Sequence, residues 1–124
     1  MNDYRLESPP ILRDFLSYHE TIKAHSQKTV DEYFLDLRNF FRYLKQSRDP
    51  SLRDLPLSEI SIMDVDLDFV KNVTLTDIYA YMTYLSRDRV QHQNSDISDY
   101  GLNAASRARK IATIRSFYNY LVNK

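Results

Sequence analysis

Residues 26–46 read SQKTVDEYFLDLRNFFRYLKQ, and this stretch decides the fold class of the chain. Its apolar side chains return every three or four positions, a spacing that places them on one face of an α-helix. Ser26 precedes them and can cap the helix, because its hydroxyl can accept a hydrogen bond from the amide of Thr29 or a neighbour. Tyr33 and Phe40 widen the apolar face, so this second helix is predicted to pack against more than one neighbour. Its central stripe consists of Val30, Phe34, Leu37, Phe41 and Leu44.

A first and a third helix follow from the same periodicity. The first is predicted over residues 10–24, since Pro10 lacks the N–H that the first turn of a helix would leave unpaired. Its apolar stripe consists of Ile11, Phe15, Tyr18 and Ile22. The third begins at Thr74 or Thr76 and ends near Arg89. Its buried face is predicted to consist of Leu75, Ile78, Met82 and Leu85.

The fourth predicted helix carries a marked charge asymmetry. Asn103 can cap it after a polar loop over residues 90–101, and it runs to the end of the chain. Residues 102–124 hold five basic side chains and no acidic one, whereas the rest of the chain holds 12 basic and 17 acidic side chains. A total formal charge of 0 therefore hides a polarised molecule, which favours a polyanionic partner such as nucleic acid. The apolar stripe of this helix consists of Ala104, Ala108, Ile111, Ile114, Tyr118 and Leu121.

Residues 47–73 form a long acidic connection between the second and third helices, because two prolines interrupt the helical period. Alternating acidic and apolar residues permit a short strand, but an extended or single-turn segment laid over the core suits a helical chain better. Asp64, Asp66 and Asp68 are spaced like calcium-loop ligands, yet the glycine and the final glutamate of such a loop are missing. We expect a solvated acidic edge or a contact with another protein.

Composition excludes several classes of function. The chain has no cysteine and one glycine, which removes thiolate chemistry and Gly-rich phosphate loops. Its three histidines are too scattered to suggest a metal site, and no serine lies in a recognisable nucleophile motif. The sequence therefore predicts a single domain over residues 1–124 with no cofactor, no metal and no small-molecule substrate. The absence of an apolar run of about 20 residues predicts a cytoplasmic protein without a membrane partner.

Two basic surfaces are candidates for contacts with phosphates or base edges. The first turn of the second helix offers backbone amides that attract phosphate. On the fourth helix, a wheel places Arg109 and Thr113 opposite the apolar stripe. A solvated helix face is the competing interpretation, but a helix without acids forgoes the usual i,i+4 ion pairs. The predicted contact residues are Ser26, Gln27, Lys28, Thr29, Arg107, Arg109, Lys110, Thr113 and Arg115.

Two separated patterns carry a family resemblance. Residues 28–44 read KTVDEYFLDLRNFFRYL and contain Thr-x-x-x-Tyr-x-x-x-Leu-x-x-Phe. Residues 106–121 read SRARKIATIRSFYNYL and contain Arg-Lys-Ile-x-x-Ile-Arg-x-Phe-Tyr. In this order they resemble the N-terminal core-binding domain of tyrosine recombinases, the family of the phage integrases and Xer proteins. The resemblance spans most of the chain.

The resemblance implies an all-α, four-helix SAM-like orthogonal bundle that clamps one face of double-stranded DNA for integration or recombination. It also implies a separate catalytic domain, expected after residue 124 of the parent protein, so that no catalytic residue is expected in this chain. The implied partners are DNA, that catalytic domain and other recombinase protomers. We expect Arg109→Ala with Lys110→Ala to weaken DNA binding across all sequences. The alternative is a helical protein-interaction module that docks a partner through the acidic segment 58–73.

Overall fold

The computed structural model describes residues 6–91 and 98–123, with side chains for residues 6–87 and 104–123. The prediction of an all-α chain is confirmed, and no strand occurs within those ranges. One short helix, α3, adds to the four main helices that the sequence predicts. The helices are α1 (Pro10–Ser17), extended by a π-helical turn (Tyr18–Ile22), α2 (Gln27–Arg48), α3 (Leu67–Lys71), α4 (Leu75–Gln91) and α5 (Ser98–Asn123).

Helix α2 lies at the centre of the bundle and contacts α1, α4 and α5. Ser26 Oγ accepts a hydrogen bond from Thr29 N at 3.2 Å, which confirms the predicted cap. The predicted stripe of α2 is confirmed, since each of its five members is at most 4% exposed. Phe40 is fully buried as well, so the wide apolar face serves several neighbours at once.

The apolar face of α1 differs from the predicted one. Leu12 and Leu16 are fully buried together with Phe15, whereas Ile22 is 71% exposed. The π-helical turn at Tyr18–Ile22 accounts for the exposure of Ile22, because a change from i,i+4 to i,i+5 bonding rotates the residues in and after the turn. Ala24 then adopts a left-handed conformation with φ 55°, which ends the helix near its predicted boundary.

The connection over residues 47–73 lies against the core, as predicted. It contains single turns at Pro50–Leu52 and Leu57–Glu59, together with α3. Four apolar side chains of this segment are buried, and Arg42 of α2 holds its backbone by donating from Nε to Ile60 O at 2.9 Å. The buried members are Ile60, Ile62, Val65 and Val70.

Helix α4 packs through a residue that the predicted face omitted. Tyr81 is 1% exposed, and its ring lies 5.1 Å from Phe40 and 5.2 Å from Tyr43. Leu75 is 62% exposed because it begins the helix, about 1.7 turns before the ring of Tyr81 that fills the core. The prediction that Leu75 is buried is therefore wrong.

Helix α5 begins earlier than predicted. It starts at Ser98, so Asn103 lies inside the helix and does not cap it. Ser98 and Asp99 are also residue types that favour helix N-termini, which explains the earlier start. Of the predicted loop over residues 90–101, residues 90–91 belong to α4 and residues 98–101 to α5, while residues 92–97 lie outside the described part of the chain.

The buried side of α5 is rotated relative to the predicted stripe. Ile114 is 2% exposed and Phe117 is fully buried, whereas Ala104 and Ala108 are exposed. Phe117 packs edge-on against Phe41 of α2, with ring centroids 5.6 Å apart. The large ring, rather than the alanines, sets which face of α5 turns inward. Within the described helices, none is both long and apolar enough to cross a membrane.

Candidate nucleic-acid interface

The N-terminal turn of α2 holds four of the predicted contact residues. Ser26 Oγ also lies 3.0 Å from Thr29 Oγ1, so the two hydroxyl side chains satisfy each other. Gln27 donates from Nε2 to Asp31 Oδ1 at 2.8 Å. Lys28 is exposed and pairs with no residue that the structure describes. The amides of Gln27 and Lys28 lie in the first turn, where the helix itself provides no acceptor and an anion could bind.

Asp36, in the middle of α2, joins this helix to the basic part of α5. Its side chain is 1% exposed and accepts two bonds from Arg109, Nε to Oδ2 at 3.2 Å and Nη2 to Oδ1 at 2.8 Å. Lys110 Nζ donates to the same Oδ1 at 3.0 Å, and Thr113 Oγ1 lies 3.0 Å from Oδ2. Glu32, one turn earlier on α2, accepts from Arg109 Nη1 at 3.1 Å. These five residues are called the Asp36 cluster below.

The Asp36 cluster is electrically balanced. The carboxylates of Asp36 and Glu32 face the cations of Arg109 and Lys110. Hydrogen bonding to Asp36 raises the pKa of the Arg109 guanidinium, and this outweighs the opposing effect of burial. The Lys110 side chain is only 13% exposed. Two of the basic side chains of α5 are therefore neutralised within the fold.

The helical wheel predicted that Thr113 lies on an exposed face, and this prediction is wrong. Thr113 is 2% exposed, because the rotated buried side of α5 carries it against α2. The carboxylates that residues 102–124 lack are supplied by α2, so the absence of acids within α5 does not leave Arg109 and Lys110 unpaired. The inference from missing i,i+4 pairs overlooked pairs between helices.

The contact residues predicted from the sequence do not include Asp36, although its position carries a signal. Asp36 follows Tyr33 by three residues and precedes Phe40 by four, a spacing that puts it on the widened apolar face. A buried carboxylate needs partners, so an acid at such a position signals an ion pair with another element. That signal was present in residues 26–46.

Three predicted cations remain outside the Asp36 cluster, and none forms an ion pair within the described chain. Lys28 is exposed and precedes Glu32 by one helical turn on the same face of α2. Glu32 in turn contacts Arg109, which lies 77 residues further along the chain. The N-terminal turn of α2 therefore lies beside the basic part of α5. The other two cations are Arg107, which is half-buried, and Arg115, which is exposed.

Two histidines come closer together than their spacing of six residues suggests. The rings of His19 and His25 lie 5.1 Å apart, because the chain turns back at Ala24 and His25 N donates to His19 O at 2.9 Å. The described residues contain no group of three or more histidine, aspartate or glutamate side chains that could hold a metal ion.

Comparisons with known proteins agree on one family. The family model described as phage integrase, N-terminal SAM-like domain, matches residues 12–68. The tyrosine recombinase XerC of Caldanaerobacter subterraneus subsp. tengcongensis is 43% identical over 119 residues, which cover 96% of this chain and 31% of the relative. XerC of Chlorobaculum tepidum is 30% identical over 112 residues, covering 90% of this chain and 26% of the relative.

A third relative, the tyrosine recombinase XerC of Myxococcus xanthus, is 31% identical over 115 residues, covering 93% of this chain and 28% of the relative. No solved structure matches the chain significantly. The chain thus spans less than a third of the length of the curated relatives it matches. With its helical bundle and its match to the family model, the chain belongs to the N-terminal SAM-like domains of the phage integrase family of tyrosine recombinases.

Proposed function

We propose that this chain is the DNA-binding domain of a site-specific tyrosine recombinase, and that it clamps duplex DNA at the recombination site during integration or recombination. Its relatives are named tyrosine recombinase XerC, and the chain covers only their SAM-like part. Strand cleavage and rejoining belong to a separate catalytic domain. Because it would act on DNA, we expect the protein to work in the cytoplasm. Other recombinase protomers are its further expected partners.

The contact between Glu32 and Arg109 carries the proposal, because it brings the N-terminal turn of α2 beside the basic part of α5. Lys28 and the amides around it form one anion-binding surface. Arg107, two residues before Arg109 on α5, offers a second cation. A duplex presents phosphates on both sides of a groove, so two such surfaces can grip one face of it.

The Asp36 cluster serves this arrangement as a support. Arg109, Lys110 and Thr113 bind Asp36 and so fix the position of α5 on α2. Arg109 is still 47% exposed, although its three guanidinium nitrogens donate to Asp36 and Glu32, whereas Lys110 and Thr113 are largely buried. Replacing Arg109 and Lys110 by alanine would also leave Asp36 unpaired, so this pair of changes tests stability and binding together.

The alternative of an interaction module loses part of its basis. Asp64 pairs with Lys45, and Asp66 caps α3 by accepting from Phe69 N at 2.9 Å. Two of the three aspartates in the acidic segment 58–73 therefore stabilise the fold. Only Asp68 remains as an exposed acid of that trio without such a bond to a described residue.

The first prediction tests the proposal through Lys28→Ala combined with Arg107→Ala. We expect the affinity for a duplex of about 25 base pairs to fall about tenfold or more, because charge-assisted hydrogen bonds to phosphates can no longer form. The slope of log K against log salt should flatten by about 1 for each phosphate that is no longer neutralised. Fluorescence anisotropy at several salt concentrations measures both quantities.

The matched control is Arg53→Ala with Lys71→Ala, which removes one arginine and one lysine from the exposed connection near the C-terminal end of α2. It should change the affinity much less, and both double variants should keep their unfolding free energy within about 0.5 kcal/mol per site. Undetectable duplex binding by the unmodified chain at low salt would refute DNA binding. Equal losses in both double variants would refute the assigned surface.

A further inference from the structure

A groove of about 390 Å³ lies between the turn that ends the first helix and the C-terminal half of α5. It is called the α1–α5 groove below. Among the residues that the structure describes, its lining contains two cations and no carboxylate. The lining residues that matter are Lys23, Arg115, His19, Ser116 and Asn119.

The polar groups of the α1–α5 groove suit an anion. Lys23 and Arg115 are exposed, and neither forms an ion pair with another described residue. Ser116 and Asn119 add a hydroxyl and an amide, both of which can donate a hydrogen bond. Phosphate sites commonly combine cationic side chains with short polar donors of this kind.

His19 supplies a second, independent sign of a ligand. It lines the groove and is only 6% exposed, yet its Nδ1 is buried without a hydrogen-bond partner in the described structure. A buried polar atom of this kind calls for a partner that the described residues do not supply. Burial, assisted by the nearby charges of His25 and Lys23, lowers the pKa of His19 to about 4, so the ring is neutral at pH 7.

Two other surface grooves lack this combination. One contains Glu7 and Glu59, and its Arg42 is already bonded to Ile60 O. The other contains a single cation, Arg53, among its described lining residues. An anion would meet carboxylates in the first of these grooves and only one positive charge in the second.

We infer that the α1–α5 groove binds a backbone phosphodiester of duplex DNA through Lys23 and Arg115, with Ser116 and Asn119 as hydrogen-bond donors. The inference rests on the proposed DNA-binding function and extends it to a third contact surface. Ser116 lies two turns beyond Arg109 on α5, a rise of about 10 Å. The groove therefore lies on the same face of α5 as Arg109, further toward the C-terminal end of the helix.

The test is Lys23→Ala combined with Arg115→Ala in the full chain. We expect duplex affinity at low salt to fall about tenfold or more, and the salt slope to flatten by about 1 for each cation that no longer meets a phosphate. The charge-retaining variant Lys23→Arg with Arg115→Lys should keep most of the affinity. Such a result would show that the loss in the alanine variant comes from the missing charges and not from misfolding. Arg53→Ala with Lys71→Ala is again the control for net charge.

A second measurement follows the amide resonances of Ser116 and Asn119 in the unmodified chain, and these should shift when duplex DNA is added. If the duplex binds normally but these resonances do not move, or if Lys23→Ala with Arg115→Ala matches the control, the groove is not a DNA contact although the proposed function stands. If inorganic phosphate shifts them at lower concentration than the duplex, the groove is a site for a free anion and the assignment to DNA is wrong. If no duplex binds at all, both proposals fall.

Discussion

The basic side chains predicted to contact DNA from α2 and α5 fall into two groups that the sequence does not distinguish. Arg109 and Lys110 bind the buried carboxylate of Asp36, whereas Lys28 and Arg115 are exposed and pair with no described residue. The difference depends on α2, because its Asp36 lies opposite Arg109 and Lys110 of α5 and no described carboxylate pairs with Arg115. Charge counted along one helix therefore says little about the charge that the folded surface presents.

The two groups also differ in what their removal should affect. Removing a partner from a buried ion pair leaves a charge without compensation, which costs stability. Removing an exposed cation changes the fold little and alters the attraction for a polyanion. We therefore expect stability and DNA affinity to respond to different residues.

The largest effect is expected for Asp36→Ala. This change leaves Lys110 buried and Arg109 partly buried without their carboxylate, and the hydroxyl of Thr113 loses its partner. The free energy of unfolding should fall by about 3 to 5 kcal/mol, measured by urea denaturation at pH 7. Asp54→Asn changes an exposed acid and should stay within about 0.5 kcal/mol. A decrease for Asp36→Ala as small as that of this control would mean that α5 is not held by the Asp36 cluster.

His19, which lines the α1–α5 groove, differs from Asp36. Its imidazole is neutral at pH 7, and its Nδ1 has no hydrogen-bond partner among the described residues. Burial holds its pKa at about 4 in the folded state, against 6.5 as the ordinary value. The unfolded chain therefore binds a proton more readily, and the stabilisation is full above pH 6.5 and is lost as the pH falls toward 4. We expect about 3 kcal/mol of stability to disappear over this interval.

Urea denaturation at pH 7, 6, 5 and 4 checks this expectation, with His19→Phe as the reference variant. Phenylalanine keeps a ring beside Phe15 and Tyr33, whose centroids lie 4.5 and 5.0 Å from that of His19. The variant should lose less stability than the unmodified chain between pH 6.5 and 4. Parallel losses in the two proteins would assign the pH dependence to carboxylates instead.

Helix α2 was predictable from the sequence because its information is local. Ser26 bonds within its own first turn, and the apolar stripe needs only helical periodicity to be recognised. The exposure of Ile22 was not predictable in the same way, since the π-helical turn Tyr18–Ile22 shifts the register after α1. Periodicity assumes regular geometry and fails where the geometry changes.

The candidate site was predictable only in part, because its electrostatics are non-local. The sequence placed Lys28 and the basic residues of α5 among the contacts, and the fold brings these two elements together. It could not assign Arg109 to Asp36, since that pair joins residues 73 positions apart. Lys23 was absent from the predicted contacts, because the groove that it lines forms only when the turn after α1 packs on α5.

The smallest expected effect tests the boundary between the two groups of cations. Glu32 is 34% exposed and holds the outer edge of Arg109, while Asp36 holds the inner edges. Glu32→Gln should raise duplex affinity about two- to fivefold, because Arg109 is then available to phosphate and a repelling charge is gone. Stability should fall by less than about 1 kcal/mol, since Asp36 still binds Arg109. Glu59→Gln removes an equal charge from an exposed turn and serves as the control in anisotropy titrations. An equal gain of affinity in both variants would mean that only the net charge matters. A gain confined to Glu32→Gln would place Arg109 in both groups of cations. Its guanidinium would then hold α5 against Asp36 with one edge and face the duplex with the other.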